Sequence, residues 1–80
     1  MSRSLRSFTI HLMLKGGHTQ EVQFRTLEDF QAWYGGVLAP AAAEAFVTVP
    51  LGELEGEYLV VRAGAVLAIR IEPVYGGSQF

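Results

Sequence analysis

The feature that most constrains this fold is a strict two-residue alternation near the start of the chain. Every second residue from 8 to 14 is apolar, which is the period of a strand that buries one face. Val22 and Phe24 continue this phase after a Gly-Gly pair. We therefore predict a β-hairpin that pairs Leu12 with Val22 and Ile10 with Phe24. Its loop would be Gly16-Gly17-His18, because glycine accepts the positive φ angles of tight loops.

A helix is predicted directly after this hairpin. Thr26 can cap the free backbone N–H groups at the helix start, and Glu28 and Asp29 suit the positive end of the helix dipole. The segment 37–45 fits either a short second helix that begins near Pro40 or a loop. Gly35-Gly36 is expected to end the first helix, whose apolar stripe comprises Leu27, Phe30, Tyr34 and, at its margin, Trp33.

Three further strands are predicted in the second half of the chain. Residues 46–51 alternate, and Pro50 marks an edge or a strand end because it cannot donate a backbone hydrogen bond. Residues 58–62 and 66–72 flank Ala63-Gly64-Ala65 and are predicted to pair as a second hairpin. In that hairpin the inward-facing residues would be Leu59, Val61, Leu67, Ile69 and Ile71.

The order of elements is therefore ββαβββ, which predicts a single α+β domain over residues 1–80. The expected architecture is an antiparallel sheet with one helix packed on one face, and curling of the strands into a small barrel is the alternative. Residues 1–6 and 76–80 are predicted to be flexible ends. The opening basic segment precedes an apolar run that is broken by His11 and is too short to span a membrane. We therefore expect a cytoplasmic protein with no membrane partner.

The sequence contains no motif that predicts an enzyme active site, a cofactor site or a metal site. There is no cysteine, and the serines lie near the ends of the chain without a nucleophile motif. His11 and His18 are expected to lie too far apart to share a metal ion. Glu53, Glu55 and Glu57 alternate in an acidic turn, but they lack the ligand pattern of a calcium loop. An acid–base role for His11 or for this turn has no further support.

Composition instead favours self-association. Hydrophobic residues make up 50% of the chain and charged residues only 18%, which is more apolar material than so small a domain buries in its own core. The outward face of the predicted second hairpin is half apolar, whereas a solvent-facing sheet is usually polar. A second copy of the chain would cover it. The predicted interface residues are Tyr58, Val60, Arg62, Val66, Ala68 and Arg70, together with Trp33 as an interface anchor.

A short likeness to Sm-like proteins supports a different reading. The segment 61–66, with Ile69 after it, loosely resembles their last hairpin, and Leu14-Lys15-Gly16 resembles their first strand and turn. The resemblance implies a small barrel that binds RNA through an Asp/Asn pair and an Arg-Gly step. In this chain Ala63 follows Arg62, there is no asparagine, and the central helix interrupts the strand succession. The likeness therefore identifies no family.

Two functions are predicted from these observations. The favoured one is a non-catalytic homo-oligomeric assembly or protein-interaction module. The alternative is an Sm-like or SH3-like β-barrel that binds nucleic acid through its arginines, although the net charge of −2 argues against a nucleic-acid partner. The arginines of that alternative are Arg3, Arg6, Arg25, Arg62 and Arg70.

Overall fold

The computed structural model describes residues 4–52 and 55–76, which form a small α+β fold in the predicted order ββαβββ. The described strands form two antiparallel sheets, ordered β2-β1-β5 and β3-β4, and they do not close into a barrel. The elements are β1 (Ser4–Leu14), β2 (His18–Phe24), α1 (Leu27–Trp33), β3 (Phe46–Pro50), β4 (Tyr58–Arg62) and β5 (Val66–Gly76).

The β1–β2 hairpin forms as predicted, but its register differs by two residues. Ile10 lies opposite Val22 and Leu14 lies opposite His18, so the loop is Lys15-Gly16-Gly17. Both loop glycines have positive φ, at 92° and 88°. Because side chains alternate with a period of two, an even shift keeps the apolar residues on the same face. The sequence pattern therefore fixed the buried face but not the loop.

Helix α1 begins where its capping residue predicts. The Asp29 N–H donates to the Thr26 hydroxyl at 3.0 Å, which satisfies one of the free amides at the helix start. The buried helix residues are Phe30 and Trp33. Leu27 and Tyr34 are exposed and lie outside the core, so the predicted stripe is wrong in its first and last positions. Gly35-Gly36 does not end the helix, because the chain continues as a π-helical turn over Tyr34–Leu38.

The predicted second hairpin is wrong. Strand β4 pairs with β3, with Val60 opposite Thr48, whereas β5 pairs with β1, with Ile71 opposite Ile10. A short 3₁₀ turn, Ala63–Ala65, separates the two strands and carries the chain from one sheet to the other. Alternation around a glycine indicates that two strands exist, but it does not determine their partners.

The turn between β4 and β5 is fixed by the segment that follows the π-helical turn. The Gly64 N–H donates to the Ala43 carbonyl at 2.7 Å, and the Ala63 N–H donates to the Ala45 carbonyl at 2.8 Å. A Cβ atom at Gly64 would lie 2.8 Å from the Ala43 carbonyl oxygen, so glycine permits this close approach. Residues 39–45 form turns rather than a second α-helix.

A β-bulge at the start of β5 reverses the expected side-chain phase. Met13 lies opposite Ala68 but Leu14 lies opposite Val66, which leaves Leu67 as the additional residue. Val66 therefore packs against the core, and Leu67 is 65% exposed. The sequence analysis predicts the opposite orientation, with Leu67 facing inward and Val66 facing outward.

The hydrophobic core lies between the inner face of the three-stranded sheet, helix α1 and the β3–β4 sheet. Leu59 and Val61 pack against this core as predicted, and Pro50 is the last residue of β3. Strands β1 and β5 extend to Ser4 and Gly76, into the segments predicted as flexible ends. Within the described ranges, no helix is long and apolar enough to cross a membrane. The core residues are Ile10, Leu12, Val22, Phe24, Phe30, Trp33 and Val49.

Candidate interaction surfaces

The predicted interface residues do not form one surface. Tyr58, Val60 and Arg62 lie on the outward face of the β3–β4 sheet, whereas Ala68 and Arg70 lie on the outer face of the other sheet. These two groups of residues are separated because the chain passes from one sheet to the other at Ala63–Ala65. The prediction is wrong for the two remaining residues, because Val66 packs against the core and Trp33 is buried.

Trp33 is buried, and both its ring and its indole N–H have partners inside the protein. Its indole N–H donates to the Thr48 carbonyl at 2.8 Å, and its ring centroid lies 6.1 Å from that of Phe24. This side chain joins α1 to both sheets and is 7% exposed. It therefore has no surface to offer a partner.

The outward face of the β3–β4 sheet is exposed and largely apolar. Phe46, Tyr58 and Val60 are all more than half exposed. The Arg62 guanidinium lies 5.2 Å from the Phe46 ring centroid, within the range of a cation–π contact. The arginine therefore already covers part of the Phe46 ring.

A concave apolar surface that the sequence analysis did not predict lies beside β5. We call it the β5 cleft. Its volume is about 650 Å³, which is in the range of ligand and partner sites. The described residues that line it carry no charged group. Its lining includes Phe30, Tyr34 and Leu38 from the helical segment, alanines of the turns, and Leu67, Ile69 and Ile71 from β5.

The β5 cleft exists because α1 covers only part of the sheet. The helix packs against β2, where the ring centroids of Phe30 and Phe24 lie 5.7 Å apart, and Ile10, Leu12 and Val22 of β1 and β2 have no exposed surface. Strand β5 is less completely covered. Ile71 lies directly opposite the fully buried Ile10, yet it is 43% exposed. The core face of the sheet is therefore incompletely covered along its third strand.

β5 is also an edge strand. Its one described neighbour is β1, so its second row of backbone N–H and C=O groups has no strand partner within residues 4–52 and 55–76. Long exposed edges can pair with another chain. The edge and the cleft are adjacent, because the cleft is lined by consecutive residues of the strand from Val66 to Ile69.

A polar cluster occupies the opposite face of the same sheet, and we call it the His11 cluster. His11 is only 8% exposed. Its Nε2 lies 2.8 Å from a carboxylate oxygen of Glu72, and its Nδ1 lies 3.8 Å from Glu21. His11 is on the outward face as predicted, but its neighbours on β2 and β5 cover it.

The hydrogen bond to Glu72 determines which nitrogen carries the proton. A carboxylate only accepts, so His11 Nε2–H donates to Glu72. Arg70 Nη2, 3.2 Å from the same nitrogen, cannot also donate to it, and its nearest acceptor in the cluster is the Glu72 carboxylate at 3.9 Å. The hydrogen bond from His11 lowers the pKa of Glu72, partial burial opposes this, and the positive charge of Arg70 lowers it further.

This lowered pKa predicts an acid-dependent contribution to stability. The folded state binds the Glu72 proton more weakly than the unfolded state does. The contribution is therefore present above the ordinary pKa of glutamate and is lost as the pH falls through the lowered value. Glu72→Gln should lower the free energy of unfolding at about pH 7, and its difference from wild type should shrink towards about pH 3. Urea unfolding across this range measures the effect.

A His11→Leu background provides the control for this prediction. Because the hydrogen bond from His11 is the largest cause of the lowered pKa, Glu72→Gln should have a much weaker pH dependence in that background. A Glu72→Gln effect that is the same at both pH values in the wild-type background would contradict the assignment.

The remaining sequence candidates do not come together in the structure. Glu53 and Arg3 lie outside the described residues. Among the residues that are described, no group of three or more His, Asp or Glu side chains has the geometry to hold a metal ion. Of the arginines, Arg62 contacts Phe46 and Arg70 belongs to the His11 cluster, on different sheets.

Comparison with known proteins adds no relative: no family model, curated protein or solved structure matches this chain.

Sequence reasoning missed the residues of the β5 cleft. The sequence analysis predicts that Leu67, Ile69 and Ile71 face inward; Ile69 does pack against the core, but Leu67 and Ile71 are 65% and 43% exposed. A signal was present in the single short helix, because one helix of seven residues cannot cover every strand of an extended sheet. Locating the uncovered strand required the sheet order.

Proposed function

We propose that this domain is a non-catalytic, cytoplasmic assembly module that forms a homo-oligomer. The observation that supports the proposal most directly is the β5 cleft, an uncharged concavity on the core side of the sheet. Monomeric proteins rarely leave large contiguous apolar patches exposed, and such patches commonly mark protein interfaces. A second copy is the simplest cover, because a small domain gains buried surface by symmetric association.

The β5 cleft supports this function better than the sequence-predicted interface does. On the outward face of β3–β4 the Phe46 ring is partly covered by Arg62, whereas the cleft exposes side chains such as Ile71 on the same face as the buried core. Burying apolar surface on this side contributes roughly 25 cal/mol for each Å² removed from water. These observations support an assembly surface at β5, with Leu67, Ile69 and Ile71 at its centre.

Native mass spectrometry of the purified protein tests the proposal. We expect a defined oligomer without bound nucleic acid, which the ratio of absorbance at 260 and 280 nm checks before nuclease treatment. Leu67→Asp should shift the population towards monomer, because it places a charge in the cleft at a position where the side chain is already exposed. Circular dichroism should show that the variant stays folded.

Val60→Asp is the matched control, since Val60 is also an exposed apolar strand residue but lies on the β3–β4 face. The oligomer should survive this change. A wild-type monomer at all concentrations would refute the assembly function. An oligomer that Val60→Asp disrupts and Leu67→Asp does not would contradict the placement at β5.

A further inference from the structure

We infer that two copies of this chain join through antiparallel pairing of their β5 strands, with the twofold axis at Ile71. The inference rests on the proposed function and specifies its geometry. The result would be a continuous six-stranded sheet, in the order β2-β1-β5-β5-β1-β2, whose core faces lie on the same side. Three features of β5 support this pairing: its free edge, its charge pattern and the position of its exposed apolar residue.

The free edge supplies the backbone hydrogen bonds. β5 runs for 11 residues from Val66 to Gly76, and its outer edge has no strand partner among the described residues. Adding a strand to such an edge is an established mode of association, in which main-chain hydrogen bonds provide affinity and side chains provide specificity. Because both partners are the same strand, antiparallel pairing generates a closed twofold dimer.

The charges of β5 select the register. Arg70 and Glu72 lie on the same face of the strand, on either side of Ile71. With the axis at Ile71, Arg70 lies opposite Glu72 of the second copy, and the same pair is repeated on the other side of the axis. Opposite charges directly across an antiparallel pair are stabilising, and like charges there are destabilising. Both side chains are about half exposed and can reach across the edge.

Neighbouring registers fail on the same criterion. An axis at Arg70 places two arginines opposite each other, and an axis at Glu72 places two glutamates opposite each other. An axis between residues would place Ile71 on the polar face of the second copy, because directly opposite residues in an antiparallel pair point to the same side of the sheet. The strand is therefore complementary to itself in the register centred on Ile71.

The apolar residues fit the same register. Ile71 would contact Ile71 of the second copy on the core side, where it is now 43% exposed beside the cleft. Ile69 would lie opposite Pro73 of the second copy. Pro73 and the two charges are residue types that blunt sheet edges against unspecific pairing. In this strand the charges disfavour the registers centred on Arg70 and on Glu72, and they favour the register centred on Ile71.

Single-cysteine variants test the register, and the absence of native cysteine makes each result unambiguous. Under mild oxidation, Ile71→Cys should form a disulfide-linked dimer, because opposite Cα atoms in an antiparallel pair lie ~4.5–5.5 Å apart and disulfides need ~4.4–6.8 Å. Ile69→Cys and Pro73→Cys should each fail to cross-link alone, since identical residues there are roughly 13 Å apart. Mixing these two variants should yield the cross-linked heterodimer.

Charge exchange provides an independent test. Arg70→Glu should weaken dimerisation by about tenfold or more, because it places like charges opposite each other twice. Adding Glu72→Arg to the same chain should restore most of the affinity by reversing both pairs. Since both residues also contact His11, circular dichroism and thermal unfolding should show that each variant is folded before affinities are compared.

The outcomes separate this inference from the proposed function. Cross-linking at residue 71, together with rescue by the double exchange, supports the β5 pairing. An oligomer in native mass spectrometry that does not cross-link at residue 71, or that cross-links equally at 69, 71 and 73, overturns the pairing and leaves the assembly function intact. A monomer at all concentrations overturns both.

Discussion

Trp33→Ala is expected to lower the free energy of unfolding by about 3–5 kcal/mol, the range for removing a large buried aromatic side chain. The indole packs against both Phe24 and Phe30, with ring centroids at 6.1 and 6.2 Å, and it also donates to the Thr48 carbonyl at 2.8 Å. A domain of 80 residues has roughly 4–12 kcal/mol of stability in total. This single change therefore removes a large fraction of what holds the fold.

Trp33→Phe measures the contribution of the hydrogen bond to stability separately from the contribution of the side-chain volume. The phenyl ring retains much of the apolar contact but has no N–H, so it leaves the Thr48 carbonyl without this donor. The expected cost is about 1–3 kcal/mol. Urea unfolding followed by far-UV circular dichroism measures both variants, because the chain has no other tryptophan to report by fluorescence.

Tyr34→Ala is the matched control for the tryptophan variants. Tyr34 is the next aromatic residue in the chain and stacks on Phe30 at 6.1 Å, but it is 44% exposed, whereas Trp33 is buried. Its truncation should cost about 1 kcal/mol or less. All variants are compared at one protein concentration, because association raises apparent stability. If Trp33→Ala were no more destabilising than Tyr34→Ala, Trp33 would not be the link between α1 and the two sheets.

Gly52→Ala is expected to destabilise the protein by about 2–4 kcal/mol through two separate effects. Gly52 has a φ of 85°, a left-handed conformation that costs other residues about 1–2 kcal/mol. A Cβ atom there would also lie 2.5 Å from the carbonyl oxygen of Gln23 in β2. Next to it, the Gln23 N–H donates to the Leu51 carbonyl at 3.1 Å, so the overlap disturbs the junction between the two sheets.

Gly17→Ala isolates the conformational part of that cost. Gly17 has nearly the same φ, 88°, but an added Cβ atom there would have no neighbour within 4 Å. Its expected cost is about 1 kcal/mol. Thermal and urea unfolding of the two variants should therefore differ by about 1–3 kcal/mol. Equal costs would mean that the chain near Gly52 moves away from Gln23 without penalty.

Much of the secondary structure follows from local patterns in the sequence. The two-residue alternation of β1 and β2 and the capping residue Thr26 each depend on neighbours within a few positions. Such signals survive small errors in position. The hairpin register is two residues from the prediction, yet Ile10 and Val22 are still buried on one face.

The candidate surfaces were less predictable, because each depends on pairing between distant segments. The prediction joined β4 to β5 across Ala63-Gly64-Ala65, but that turn connects two sheets. The outward-facing residues Val60 and Arg70 therefore lie on different sheets. Val66 faces the core and Leu67 faces solvent, opposite to the prediction, because of a bulge that arises in the pairing of β5 with β1.

The sequence by itself determined that this chain is a small α+β domain, which of its segments are strands or helix, and that it holds more apolar residues than its own core needs. Tertiary structure alone decided where the surplus lies. Strand partners are chosen by long-range packing, and the choice of β1 as the partner of β5 leaves one strand edge and the adjoining apolar cleft uncovered by the single short helix. Periodicity is a local property of the chain, whereas an unfilled edge is a property of the whole sheet.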